Sequence, residues 1–169
     1  MTMSEQAKTR PATLTSGVEP GPLTETEKKE FFSRPLLARL ATVRPDGAPY
    51  VVPLWFQWDG NDGSFWFVIR EKARFVPNLL KEPRVCLSIA ADSPPYTRAT
   101  IMGRAEIVAK PGQSEQWMAM ARRMTQRYVG DVDPGYFERT ARYPRWLVRI
   151  VPSEMTTWRG GGWSRFYTD

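Results

Sequence analysis

A chain of 169 residues, 41% of them hydrophobic, is expected to fold as one domain whose core needs no disulfide staples. It contains no histidine, which removes Cys/His zinc sites, the Ser-His-Asp triad and the commonest axial ligand of haem. The net charge of +6 favours an anionic partner, and since its arginines are scattered without a long basic run, a phosphate-bearing small molecule meets that charge without nucleic acid.

Residues 1–21 are rich in Thr, Pro, Gly and Ser and lack the basic-then-apolar order of a secretory signal. They are expected to form a flexible arm ahead of a single domain over 22–169. Thr24 followed by Glu27 is a capping-box pattern, predicting a short helix to about Ser33 anchored by Phe31 and Phe32. Leu37 to Val43 is strand-compatible. Arg44-Pro45-Asp46-Gly47 is a turn, with proline where φ is fixed and glycine where φ becomes positive. Ala48 to Trp58 returns as a second strand, Asp59 to Gly63 turns again, and Ser64 to Ile69 forms a third. The three strands are predicted to pair in sequence as an antiparallel meander.

The pairs Phe75/Leu79 and Val76/Leu80 have helical spacing, and Pro77 falls early enough for a first turn. Arg84 to Ala90 reads as a nearly continuous apolar strand, and Cys86 within it as a small buried hydrophobe. Thr97 to Val108 alternates, with Ala99, Ile101 and Gly103 on one face and Thr100, Met102 and Arg104 on the other. Gly103 predicts a bulge or a close backbone approach. A helix from about Ser114 to Val129 carries the stripe Trp117, Ala121, Met124, Tyr128, expected to pack across a barrel. Arg145 to Val151 forms a strand, and a further extended piece covers about Glu154 to Arg159. Hairpin-connected strands with helices between them predict an α+β domain, a closed or split antiparallel β-barrel with a few peripheral helices. The single cysteine and the lack of a membrane-spanning apolar run suggest a cytoplasmic location.

The segment Ile69-Arg70-Glu71-Lys72-Ala73-Arg74 joins the third strand to the following helix. Cations there can give an anion charge-assisted hydrogen bonds, and the N–H groups of a helix start point the same way. The same composition also suits a loop that is charged because it is exposed. Val51-Val52-Pro53-Leu54-Trp55 is a bulky apolar strand whose proline cannot donate to a ladder, which suggests an edge or a groove floor. A flat tricyclic ring on that strand would carry its phosphate towards Arg70 and Lys72. The alternative for Trp55 is a place in the core.

Leu40 to Phe56, then Lys72, then Asn78-Leu79-Leu80-Lys81-Glu82-Pro83-Arg84-Val85, then Gly103-Arg104-Ala105-Glu106 resembles the pyridoxamine-phosphate-oxidase-like split barrels. Within that superfamily the order is most similar to the deazaflavin (F420)-dependent reductases, and it covers about residues 36 to 108. The resemblance implies that Val52, Pro53, Leu54 and Trp55 lie along the cofactor ring. It implies that Val68, Ile69, Arg70 and Lys72 reach the ribityl phosphate, with Arg74 and Asn78 as further candidates, and that two subunits of a homodimer build each site. Residues Pro152 to Arg165 also resemble the end of true pyridoxamine-phosphate oxidases, which makes Trp158 a candidate cofactor neighbour. There the family carries an Arg-x-His segment, whereas this chain has Arg165-Phe166-Tyr167, which argues against vitamin B6 oxidation.

The implied activity is hydride transfer from reduced F420 to an electron-poor small-molecule acceptor, chemistry that the cofactor supplies and the protein orients. Tyr50, Tyr96 and Tyr167 are alternative proton donors. FMN in place of F420 on the same fold, or a module that binds a cofactor such as haem without catalysis, are the alternative readings.

Overall fold

The computed structural model describes residues 20–160, so all but the last two residues of the predicted arm, together with Arg165 and Tyr167, lie outside the described residues. The chain opens with α1 (Glu25–Ser33), whose Thr24 hydroxyl accepts the Glu27 N–H while the Glu27 carboxylate accepts the Thr24 N–H, the capping box expected from sequence. Strands β1 (Ala38–Val43) and β2 (Pro49–Leu54) form a hairpin across the predicted turn, where Gly47 has φ of 85° and donates to the Arg44 carbonyl. Strands β3 (Gln57–Trp58) and β4 (Phe65–Arg70) form a second hairpin, followed by α2 (Val76–Lys81), β5 (Arg84–Ala90) and β6 (Arg98–Ala109). Helix α3 (Gln116–Tyr128), a 3-10 turn and α4 (Tyr136–Ala141) then lead into the long closing strand β7 (Arg145–Trp158).

All seven strands belong to one antiparallel sheet in the order β2-β1-β5-β6-β7-β4-β3. Strands β2 and β3 are therefore the two outer edges, yet only Trp55 and Phe56 separate them in the chain. Edges held that close force the sheet to curl, and the result is a split barrel with the two residues as its clasp. The predicted meander is corrected here. The segment Ala48 to Trp58 is not one strand, because the Phe56 N–H leaves the ladder and donates to the Tyr128 hydroxyl at 3.2 Å. Pro53 fits the outer edge, where no donor is needed. Only the last two residues of that segment, β3, pair with β4 as expected; the other side of β4 pairs with β7, and β2 does not meet β4.

The barrel interior holds Leu40, Phe56, Phe65, Leu87, Ile89, Ile101, Val148 and Ile150, all essentially without solvent contact. Each such side chain stabilises the fold by roughly 1.5–3 kcal/mol through burial. Phe32 of α1 plugs one end, its ring 5.1 Å from Trp58 and 5.2 Å from Phe65. On β6 the alternation is as expected, and Gly103 lies where a Cβ would fall 2.6 Å from the Val151 carbonyl oxygen. The register shifts at that point. Gly103 faces Pro152 and Met102 faces Glu154, so Ser153 is the extra residue of a bulge, and its hydroxyl donates to the Met102 carbonyl. Pro152 lies beside this bulge, a place where a strand accommodates proline, and β7 runs unbroken where sequence suggested two pieces. Cys86 is half-buried on the outward face of β5 rather than in the core, and burial pushes its thiol up.

Candidate functional site

A cavity of about 520 Å³ opens between the curled sheet and the α3–α4 pair. Its sheet wall is Pro53, Leu54 and Trp55 at the end of β2 together with Phe67 to Arg70 of β4. The opposite wall comes from Trp117, Ala121, Met124 and Thr125 of α3 and Tyr136, Phe137 and Thr140 of α4. Helix α3 seats there because Trp117 packs with Ala109 and Leu147 in a small second core that Trp66 and Val68 border. Its far end is fixed by Tyr128, whose hydroxyl donates to the Leu36 carbonyl at 2.6 Å and accepts the Phe56 N–H. Burial pushes the Tyr128 phenol up, so it remains a neutral donor across the physiological range. Its ring stacks on Trp55 with centroids 5.0 Å apart and planes 6° from parallel. Trp55 is thus neither free surface nor core, but half-buried between Tyr128 and Tyr136, the latter ring 5.6 Å away.

One end of this cavity is cationic. Arg70, the last residue of β4, stands directly opposite Arg145, the first of β7, and Lys72 lies on the loop that follows. Like charges opposed across a ladder are unfavourable. Among the described residues no carboxylate pairs with any of the three side chains. Arg145 is half-buried; its Nη2 donates to the Thr140 carbonyl at 3.3 Å, and its Nε is buried without a hydrogen-bond partner among the described residues. Burial first, and then the Arg70 charge, hold the Arg145 pKa below the usual guanidinium range. The loop carrying Lys72 is tied in place by the Trp146 indole N–H, which donates to the Glu71 carbonyl at 3.0 Å. A second cavity of about 490 Å³ adjoins the first, and the two share Arg70, Lys72, Thr140 and Arg145.

Of the residues suggested by sequence, Pro53, Leu54, Trp55, Val68, Ile69, Arg70 and Lys72 line the first cavity together. Val52, Arg74, Asn78 and Trp158 do not line it. Asn78 is buried and its amide donates to the Thr42 hydroxyl at 3.0 Å, bracing α2 against β1. Trp158 ends β7 opposite Arg98, and its indole N–H is buried without a partner among the described residues. The α3–α4 wall and Arg145 were missed, because they reach the site only through the β4–β7 pairing and the fold of the insert between β6 and β7. Tyr50 lies on β2 and Tyr96 in an exposed loop, and neither lines the cavity. No group of His, Cys, Asp or Glu among the described residues is placed to hold a metal ion, and no helix among them is long and apolar enough to cross a membrane.

The cavity is aromatic and ends in cations that have no carboxylate partner among the described residues, and solved proteins share the fold that holds it. A conserved hypothetical protein of Mycobacterium tuberculosis is 25% identical over 90% of each chain with a TM-score of 0.65. An F420 reductase is 29% identical, covering 75% of this chain and 94% of its own, with a TM-score of 0.59. The haem storage protein HutZ of Vibrio cholerae is 26% identical, covering 82% of this chain and 96% of its own, with a TM-score of 0.60. No curated protein matches the sequence. Residues 24–159, from the α1 cap to just past the end of β7, match the family described as pyridoxamine 5'-phosphate oxidase, and the chain belongs to that family of split barrels.

Proposed function

We propose that this protein is an F420-dependent oxidoreductase, a cytoplasmic enzyme that passes a hydride from the reduced deazaflavin to an electron-poor small-molecule acceptor. The observation that carries this reading is the trio Arg70, Lys72 and Arg145 at one end of an aromatic cavity, with no carboxylate partner and no acid in the cavity lining among the described residues. The orphaned Nε of Arg145 is a donor waiting for an oxygen, and a phosphate supplies one. The similarity to an F420 reductase favours the deazaflavin over other tricyclic cofactors. When bound, the cofactor supplies the hydride chemistry. The chain's residues do the rest: Arg70, Lys72 and Arg145 hold the phosphate, Pro53 to Trp55 floor the ring space, and Trp117, Met124 and Phe137 keep water out. A haem-storage role like that of the Vibrio protein is less well supported, since this chain has no histidine to ligate iron.

The reading includes a homodimer. Val51, Ala41, Cys86 and Met102 are successive cross-strand partners on the outward face of the sheet, an apolar row with Val51 59% and Met102 46% exposed. A one-subunit mass in light scattering would remove this part of the reading.

The deciding experiment is a pair of fluorescence titrations of cofactor-stripped protein, one with F420 and one with FMN. Tight binding of F420 alone, weakened by Lys72→Ala, is the expected result. Preference for FMN would make the protein a flavin oxidoreductase of the same fold, and binding of neither would overturn the cofactor reading.

A further inference from the structure

Arg145 does more than end the cationic wall, because this one side chain touches both halves of the cavity. From the first position of β7 its Nη2 donates to the Thr140 carbonyl of α4 at 3.3 Å, and its guanidinium lies over the Trp117 ring of α3, 6.0 Å from the centroid. Its Nε has no hydrogen-bond partner among the described residues. The Thr140 bond is long for an N–H donor, whose usual distance is about 2.9–3.0 Å. A guanidinium with one N–H unsatisfied and another on a long bond holds the insert only loosely.

Thr140 passes that hold to the residues that shape the wall. Its hydroxyl is shared between the carbonyls of Tyr136 at 2.9 Å and Phe137 at 3.3 Å, and both of those residues line the cavity. The Phe137 ring lies under the Arg122 guanidinium, 4.2 Å from its centroid, and Arg122 pairs with Glu138 at 3.0 Å, so α3 moves with α4. Among the described residues Arg70 and Lys72 make no hydrogen bond to either helix.

We infer that Arg145 is a positioning residue for the acceptor's side of the cavity: an anion held on its Nε fixes the guanidinium, and Nη2 then seats the α3–α4 insert over the floor. A planar guanidinium suits this task. Its separate N–H groups serve oxygens on two sides, and a charge-assisted bond on one side fixes the plane that the other side uses. Such coupling is reciprocal, so a seated insert also tightens the hold on the anion. The inference rests on the proposed cofactor site.

The test is hydrogen exchange read by mass spectrometry on the full chain, first without ligand, then saturated with F420 or with the phosphate-free deazaflavin riboside. F420 is expected to slow exchange of the α4 amides several-fold beyond the riboside. Lys72→Ala weakens the grip on the same anion without touching the insert, and should keep that extra protection once saturated. Arg145→Met, which keeps the stem near Trp117 and removes every N–H, should lose it. Thr140→Val keeps all three cations and breaks the link from Thr140 to Tyr136 and Phe137, so it should lose the extra protection even if Arg145→Met fails to fold or bind. Equal protection by the two ligands makes the ring alone responsible, which overturns the inference and leaves the cofactor reading standing. Extra protection that survives Arg145→Met or Thr140→Val, or that Lys72→Ala abolishes as well, overturns the role given to Arg145. Failure of both ligands to bind the parent protein overturns the cofactor reading, and this inference falls with it.

Discussion

Arg70 and Arg145 are direct partners at the end of the β4–β7 ladder, two cations facing each other with no carboxylate paired to either among the described residues. Such a pair weakens the fold where it stands, and an incoming anion converts it into a gain. Arg145 is the more exposed to this conflict in energetic terms because it is half-buried and its Nε lacks a partner.

Arg145→Gln is therefore expected to move stability and affinity in opposite directions. Removing a partly buried unpaired charge should leave the melting temperature of the cofactor-free protein unchanged or raise it. The same change should weaken binding of a phosphate-bearing cofactor on the order of tenfold or more. Calorimetric melting and fluorescence titration of one preparation check both. A variant that melts lower and binds normally would make Arg145 a structural residue.

Tyr128→Phe tests the clasp. The substitution keeps the ring on Trp55 but strips the Leu36 carbonyl of its donor and the Phe56 N–H of its acceptor. An unsatisfied buried backbone group costs about 1–3 kcal/mol, and denaturant unfolding should show a loss of that order. Tyr128→Ala should lose more, since the stack with Trp55 goes as well.

Glu82 provides a pH signature far from the cavity. It caps the end of α2, and bonds from the Arg84 side chain and then the Arg84 backbone N–H hold its carboxyl down at about 2. A carboxyl depressed in the folded state contributes stability above its ordinary value near 4.5, and that contribution is lost as pH falls towards 2. Glu82→Gln should thus lower the melting temperature slightly at neutral pH, and the difference from the parent protein should shrink between pH 4.5 and pH 2. A difference that stays constant across that window would remove the ion pair as its cause.

The legible parts of this fold are those governed by neighbours in sequence. The capping box at Thr24, the Pro45–Gly47 turn and the alternation of β6 depend on residues a few positions apart, whereas the bulge that Gly103 signals is completed by Ser153 on the distant strand β7. The break at Trp55–Phe56 is different. Nothing local ends that strand, and the acceptor that draws out the Phe56 N–H sits on α3, far along the chain. The site divides along the same line. Pro53 to Trp55, Arg70 and Lys72 come from the first two hairpins and the loop after them, where a familiar order of residues can be read. Arg145 has an ordinary strand as its setting and acquires meaning only through its partner across the ladder. Helix α4 is six residues long with one buried side chain, Phe137, too short to impose a period on the sequence.

Half of the cavity wall hangs from a single connection, the α3–α4 insert between β6 and β7, while the other half and the cations belong to the sheet. The two halves can therefore diverge at different rates. Changes at Ala121, Met124 or Tyr136 reshape what fits over the floor without touching a strand, whereas changes to the floor or to Arg70 and Arg145 touch strands that hold the barrel shut. Under the proposed function, a lineage with this layout exchanges its second reactant by rewriting one insert and keeps the same anchor for the first.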